Sequence, residues 1–177
     1  PSVPDRAGIY RMEDRRTRAA GALIALVAAI PLLIATAPAQ AAPASSAQAE
    51  IDRLLDLTPG GTQLDDRTVS WNGGAGIVRV ALPSDPPARA IASCPTGYYC
   101  AWAKSGYGGN TIWFTSCSVG GSSNSLAPLG AAARSFANAR TSGTVQVKDG
   151  ATVVDTLGPS TGRSTVSYGS TAMVCFT

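Results

Sequence analysis

Cys94-Pro95-Thr96-Gly97-Tyr98-Tyr99-Cys100-Ala101-Trp102, followed by Tyr107-Gly108-Gly109, is the stretch of the sequence that decides the fold. Two cysteines bracket a turn that contains Pro and Gly, and an aromatic run then starts a strand. The aromatic-x-Gly pattern closes a folded hairpin, because glycine tolerates a backbone conformation that a Cβ would forbid. The stretch therefore predicts a small β domain held together by disulfide bonds.

Residues 12–41 have the pattern of a secretory signal peptide. They combine a basic start, an apolar run over residues 21–36 and a small-x-small cleavage site at Ala39-Gln40-Ala41. We expect cleavage after this site and secretion of the product, with residues 1–11 as an upstream extension of unknown status. A membrane anchor is the alternative, since an apolar run of about 18 residues can span a bilayer. Pro31 and the cleavage site argue against it.

The charge and residue inventory excludes several classes of function. The chain has 14 Lys+Arg and 11 Asp+Glu. After residue 41 nine basic residues face eight acidic ones, so most of the positive excess lies in residues 1–41. This balance gives no argument for binding nucleic acid or an anionic membrane. The chain has no His, so a Ser-His or Cys-His relay cannot be built. We expect a protein that is not an enzyme and needs no cofactor.

All four cysteines lie in the part that we expect to be secreted, and an oxidising compartment favours disulfides. Of the three possible pairings we expect Cys94 with Cys100, a local clip, and Cys117 with Cys175, a tie to the last strand. In the chain-entropy model these contribute ~2 and ~4 kcal/mol, because the second closes a longer loop. A metal site is the alternative, but the chain lacks both His and the paired spacing of a zinc site.

Residues 42–93 are predicted to form an accessory segment of the propeptide type. Ile51, Leu54 and Leu55 recur at i, i+3 and i+4 and predict a short amphipathic helix. A hairpin and then a linker of Pro-rich composition follow. The hairpin strands are predicted at Thr68–Trp71 and Ile77–Leu82, and the linker at residues 83–92.

Residues 94–177 are predicted to be all β. Short β-branched and aromatic runs alternate with turn residues, which is typical of a sandwich or a Greek-key barrel. Asp149-Gly150 predicts a type I′ turn, and the Gly/Ser-rich residues 120–125 predict a loop. The expected strands are Tyr98–Ala103, Thr111–Thr115, Thr144–Lys148, Ala151–Val154, Thr165–Tyr168 and Ala172–Phe176.

Trp102, Tyr107, Gly109 and Ser135 together resemble the Greek-key signature of βγ-crystallin-like domains. With the Cys94–Cys100 stretch upstream and residues 133–138 downstream, they resemble the secreted actinobacterial proteins of peptidase inhibitor family 36, which includes a streptomycete metalloproteinase inhibitor. The resemblance implies a βγ-crystallin-like Greek-key β-sandwich. It also implies that a rigid loop inhibits an extracellular protease, such as a metalloprotease.

The sequence departs from the family pattern at three places. The second half has no good copy of the aromatic signature, and no cysteine lies between Cys117 and Cys175 to form the second short disulfide loop that inhibitors of this family present. Many βγ-crystallin domains bind calcium, but here Gly130 and Ala131 occupy the positions of the acidic ligands. Neither supplies the side-chain oxygen that calcium needs, so we expect no metal site.

Two candidate inhibitory loops remain. The first is Ser116–Leu126, which Cys117 tethers, and the second is Leu157–Arg163, which Pro159 stiffens. Within them, the residues expected to face a protease are Ser122, Ser123, Asn124, Ser125, Pro159 and Arg163.

A non-catalytic binding or structural domain that acts at the cell wall or on glycans is the alternative function. Its natural platform would be the aromatic residues of the first half. Strand alternation favours the core for Trp102 and Tyr107 and leaves Tyr99 and Trp113 open. The sequence leaves the oligomeric state undetermined.

Overall fold

The computed structural model describes residues 44–86 and 91–177, so the predicted signal peptide and upstream extension lie outside the described residues. The described residues form one α-helix, α1 (Ala44–Leu57), and the strands β1–β11. The strands are Thr62–Gln63, Thr68–Trp71, Gly76–Arg79, Tyr99–Lys104, Gly108–Phe114, Ser122–Ser125, Ser135–Asn138, Thr144–Asp149, Thr152–Leu157, Thr161–Arg163 and Ala172–Phe176. No helix in the described ranges is long and apolar enough to cross a membrane.

The strands form two antiparallel sheets. The larger sheet has the order β1-β2-β3-β5-β4-β7-β10, and the smaller has the order β6-β11-β8-β9. Two units of four strands, β4–β7 and β8–β11, repeat one connectivity: the first strand lies between the second and the fourth, and the third strand joins the other sheet. The order fourth, first, second agrees with three strands of the 4-1-2-3 order of a Greek key, but here the third strand lies in the other sheet. The exchanged third strands tie the two sheets together.

The predicted all-β fold, preceded by a helix and a hairpin, is confirmed. The hairpin joint over residues 72–74 has positive φ at all three residues, as Asn and Gly allow. The strand after it ends at Arg79, three residues before the predicted end at Leu82. At the second predicted hairpin only Gly150 has positive φ. Because a type I′ turn needs positive φ at both central residues, the prediction of that turn type was wrong.

Two predicted segments change their nature. Ser122–Ser125, predicted as a loop, is strand β6 and pairs with β11. The predicted strand Thr165–Tyr168 does not form, and β10 at Thr161–Arg163 pairs with β7 instead. A Cβ on Gly162 would lie 2.9 Å from the carbonyl oxygen of Phe136, so the glycine marks a close approach between strands rather than a loop. Residues 165–168 still alternate, with Val166 buried and Thr165 and Ser167 exposed. Their one backbone bond to the neighbouring segment that the structure shows is from the N–H of Val166 to the carbonyl of Arg134 at 3.0 Å.

The main core lies between the two sheets. The larger sheet supplies buried aromatic rings, and the smaller supplies buried aliphatic and sulfur-containing side chains. The principal members are Tyr99, Phe114, Phe136, Val145, Val147, Leu157 and Met173. A second cluster, which we call the outer cluster, consists of Cys94, Cys100, Trp102, Tyr107 and Ala137. Trp102 therefore belongs to a different cluster from its strand neighbours Tyr99 and Ala101, as strand alternation requires.

The N-terminal segment is built into the same core. Ile51, Leu54, Val69 and Val78 have no exposed surface and join the main cluster, where burial of each such side chain contributes about 1.5–3 kcal/mol. Strand β3 pairs with β5 over four residue pairs. Strands β1–β3 therefore extend the larger sheet, and α1 packs into the same core.

Candidate functional site

The aromatic signature forms a closed, buried corner. The rings of Trp102 and Tyr107 meet edge to face at a centroid distance of 5.0 Å, a favourable geometry for an aromatic pair. The hydroxyl of Ser135 donates to the carbonyl of Lys104 at 2.8 Å and accepts the backbone N–H of Tyr107 at 3.1 Å. Gly109 has φ +75°, and a Cβ there would lie 3.0 Å from Cγ of Lys104. These four signature residues hold the fold and offer little surface to a partner.

The two disulfides occupy different environments. Cys94 is bonded to Cys100, and both are buried in the outer cluster. Cys117 is bonded to Cys175 at a sequence separation of 58. Cys175 is buried in β11 whereas Cys117 is half-buried at the surface. These are the pairings expected from the sequence, and the second one fixes a surface segment to the end of the core.

Residues 116–121 form a surface turn that we call the tethered turn. Besides the disulfide at Cys117, the backbone N–H of Gly121 donates to the carbonyl of Ser118 at 3.1 Å and closes the turn. The N–H of Ser118 donates to the carbonyl of Cys175 at 3.4 Å, and the N–H of Thr177 donates to the carbonyl of Ser118 at 3.2 Å. Both backbone polar groups of Ser118, its N–H and its carbonyl, are therefore hydrogen-bonded to residues 175–177 at the end of the chain.

A hydrogen-bond network supports the tethered turn from below. The Tyr99 hydroxyl donates to the carbonyl of Ser116 at 2.8 Å. The side-chain amide of Asn124 donates to that hydroxyl at 2.6 Å and to Ser116 Oγ at 3.0 Å. Burial raises the pKa of Tyr99, so the hydroxyl stays protonated and can donate. Tyr99 is fully buried and is a support of this turn, not part of a sugar platform.

The apex of the tethered turn is apolar and exposed. Val119 has 86% of its surface exposed, the highest value among the large hydrophobic side chains that the structure describes. Its neighbours Ser118 and Gly120 are small and exposed. The sequence analysis placed this residue inside a candidate loop without singling it out, because exposure cannot be read from one valine between a serine and two glycines.

The four residues predicted as the centre of the first loop lie on strand β6. Ser123 and Ser125 are exposed, whereas Ser122 and Asn124 are half-buried. Asn124 pairs with Met173 of β11 and also holds the tethered turn. The loop assignment for these residues was therefore wrong. The part of Ser116–Leu126 that is a turn lies before them, at residues 116–121.

The second predicted loop is mostly regular structure. Leu157 is buried at the end of β9, and Thr161–Arg163 is strand β10, so only residues 158–160 connect them. Pro159 is exposed in this connection. The Arg163 guanidinium pairs with the Asp155 carboxylate, with Nε and Oδ2 3.0 Å apart. Arg163 is exposed, as predicted, but it lies in a strand and is ion-paired, so its assignment to a loop was wrong.

Tyr168 completes the polar group around Asp155. Its hydroxyl donates to Asp155 Oδ2 at 2.8 Å. Burial, followed by this hydrogen bond to a carboxylate, raises the pKa of Tyr168 well above its usual value. The Asp155 carboxylate is therefore held by an ion pair with Arg163 and a hydrogen bond from Tyr168.

A cavity of about 530 Å³ opens over β3, β4 and β5 of the larger sheet. Its lining combines Trp102, Tyr107 and Trp113 with the cations Arg79 and Lys104. Asp85 also lines it, but its carboxylate already pairs with Arg67 at 2.9 Å. The volume falls within the range of small-molecule sites. Trp113, left open by the sequence, is half-buried at this cavity.

The described residues contain no group of three or more His, Cys, Asp or Glu side chains that could hold a metal ion. Gly130 is exposed with φ +76°, and the Arg53 guanidinium lies against it. This guanidinium forms an ion pair with the Glu50 carboxylate at 2.6 Å, and Gly130 itself has no side-chain oxygen to offer a metal ion. The absence of a calcium site stays a prediction.

The model of peptidase inhibitor family I36 matches residues 87–156. The match covers the first four-stranded unit and extends to β9 of the second, and it confirms the family resemblance over this range. The tethered turn lies inside it, whereas α1 and β1–β3 precede it. Comparison with curated proteins finds no match, and comparison with solved structures finds none.

Proposed function

We propose, from the match of residues 87–156 to peptidase inhibitor family I36, that this protein is a secreted inhibitor of an extracellular protease, with metalloproteases as the first candidates. This match is the main support for the proposal. The matched range includes the tethered turn, residues 116–121, whose backbone is held by a disulfide and hydrogen bonds. A non-catalytic role also agrees with a chain that has no His.

Inhibition would proceed through the tethered turn. A loop that is already ordered avoids the entropy cost of ordering on binding. The disulfide at Cys117, the backbone bonds of Ser118 and the network at Ser116 all restrict this turn before a protease meets it. A substrate peptide, by contrast, must lose its freedom in the active site, so the preformed turn competes well with it.

The secreted product would comprise residues 42–177. Two disulfides suit an oxidising compartment, and the signal-like pattern of residues 12–41 supports export. Ile51 and Leu54 of α1 are fully buried in the main core, so removal of the accessory segment would expose that core. We therefore propose that residues 42–93 stay in the working inhibitor.

The test is an inhibition assay of residues 42–177, produced with both disulfides, against a panel of extracellular metalloproteases and serine proteases. We expect stoichiometric inhibition of at least one enzyme. A reduced and alkylated sample is the control, and it should not inhibit. A correctly folded, disulfide-bonded sample that inhibits no enzyme of the panel would contradict the proposal.

A glycan-binding domain is the second candidate, and the cavity beside Trp113 is the observation that favours it. The half-buried ring of Trp113, together with the cations Arg79 and Lys104 in the same lining, suits a sugar that carries acidic groups. In this case the protein would be retained on insoluble cell-wall glycan. Trp113→Ala should abolish retention, and Trp71→Ala, which alters a half-buried Trp outside this cavity, should preserve it.

A further inference from the structure

We infer that Val119 is the anchor that enters the specificity pocket of the protease, and that the target enzyme selects a small or medium apolar side chain there. The inference rests on the proposed function and deepens it, because it names the contact residue and the class of partner.

The first support is the combination of exposure and fixed backbone. Four large hydrophobic side chains are exposed among the described residues: Leu57, Leu64, Val119 and Val153, at 46%, 59%, 86% and 43%. Leu57 ends α1, Leu64 follows the two-residue edge strand β1 and Val153 lies in β9. Of these four, only Val119 lies in a turn next to a disulfide: it is two residues after Cys117 and directly follows Ser118, whose backbone is hydrogen-bonded. An isolated exposed apolar residue is common on protein surfaces, but here the backbone beneath it is held in place.

The second support is steric access. Ser118 and Gly120, on either side of Val119, are small, and a Cβ at Gly120 would meet no atom within 4 Å. Gly121 has φ +83°, and a Cβ there would lie 2.6 Å from the ring of Phe176. The turn therefore packs closely onto the last strand at Gly121 and projects freely at Val119. Such a projection can enter a concave pocket.

The third support is the lack of charge. Residues 105–133 contain no Asp, Glu, Lys or Arg, so the tethered turn and its sequence neighbours offer no ionic contact of their own. The Arg140 guanidinium, from another part of the chain, donates to the carbonyl of Thr115 at 3.1 Å just before the turn. Recognition by the apex at Val119, which has no charged side chain, must come from shape, backbone hydrogen bonds and apolar burial. A protease whose specificity pocket is built for a basic side chain is a poor partner, because its buried carboxylate would be left without a counter-charge.

The test uses residues 42–177 and a protease inhibited in the panel assay. We expect Val119→Asp to weaken inhibition at least 100-fold, because a carboxylate would be desolvated in the pocket. Val119→Ala should weaken it about 10-fold, since part of the apolar contact is lost. Val153→Asp is the matched control on another exposed valine, and it should inhibit like the wild type. Because Val119 makes few contacts within the protein, both of its variants should keep the wild-type thermal midpoint. Val153 lies in a paired strand, so its variant is assayed at a temperature where circular dichroism shows it to be folded.

The outcomes separate the two claims. If the wild type inhibits and Val119→Asp inhibits equally well, the anchor inference is wrong while the proposed function stands. If the wild type inhibits only proteases that select basic side chains, the inference about the target class is wrong. If a folded wild type inhibits no protease, the proposed function is wrong, and the inference about Val119 is then wrong as well.

Discussion

The hairpins that open the two four-stranded units are closed by the same kind of contact. In the first unit, Ser135 Oγ bridges the carbonyl of Lys104 and the N–H of Tyr107. In the second, Thr171 Oγ1 accepts the N–H of Gly150 at 2.9 Å and lies 3.4 Å from the carbonyl of Lys148. In both units, a hydroxyl at the start of the fourth strand holds the hairpin of the first two strands: Ser135 is the first residue of β7 and Thr171 directly precedes β11.

The two hairpins differ in how their backbones reach this geometry. The first has a three-residue connection in which Tyr107 has φ +61°, a region that is unfavourable for a residue with a Cβ. Packing of the Tyr107 ring against Trp102 offsets that cost. The second has a two-residue connection with positive φ at Gly150 alone. In the second hairpin the only residue with positive φ is a glycine, so no strained residue has to be stabilised by aromatic packing. The second unit therefore exchanges its third strand without the Trp–Tyr pair that the first unit has.

Removal of the aromatic corner should have the largest effect. Trp102→Ala leaves a large cavity in the outer cluster, and we expect it to lower the free energy of unfolding by about 3–5 kcal/mol. The control is Val153→Ala in the second hairpin, an exposed position where the change should be within about 0.5 kcal/mol. Urea denaturation of both variants measures the difference. A loss below about 1 kcal/mol for Trp102→Ala would mean that the corner is not needed by the first hairpin.

The paired hydroxyls provide a direct comparison of the two units. Ser135→Ala should cost about 1–3 kcal/mol, because it leaves two backbone groups unsatisfied at a fully buried position. Thr171→Ala should cost less than about 1 kcal/mol, since Thr171 is exposed and water can replace its hydroxyl. The midpoints of chemical denaturation rank the two variants. Equal losses would show that burial does not set the contribution of the bridge.

The turn glycines should give the smallest difference. Gly150→Ala has room for a Cβ, so only the cost of positive φ remains, about 1 kcal/mol. Gly109→Ala adds crowding against Lys104 and Ala103 at 3.0 and 3.3 Å, and we expect about 2 kcal/mol. Thermal denaturation of both variants under one buffer condition measures the gap. A larger loss of stability for Gly150→Ala than for Gly109→Ala would contradict the expectation that crowding adds to the cost at Gly109.

The sequence predicted those features that depend on local chemistry. Cysteine spacing indicated both disulfides, and the aromatic-x-Gly pattern indicated the buried corner at Trp102. Strand β6 was missed because Ser-Ser-Asn-Ser has the composition of a turn, and only pairing with β11 makes it a strand. Arg163 was assigned to a loop because its ion pair with Asp155 depends on the tertiary fold. The exposure of Val119 was likewise set by the packing of Gly121 on Phe176, which no local pattern reveals.

The most direct test of the proposed mechanism compares the two disulfides as supports of inhibition. The variant Cys117→Ser with Cys175→Ser frees the tethered turn, and the control variant Cys94→Ser with Cys100→Ser leaves it fixed. Both lose stability, by ~4 and ~2 kcal/mol in the chain-entropy model, so inhibition constants are measured at a temperature where circular dichroism shows both to be folded. We predict at least 10-fold weaker inhibition for the first variant and wild-type inhibition for the control. Equal inhibition by the two folded variants would contradict the account.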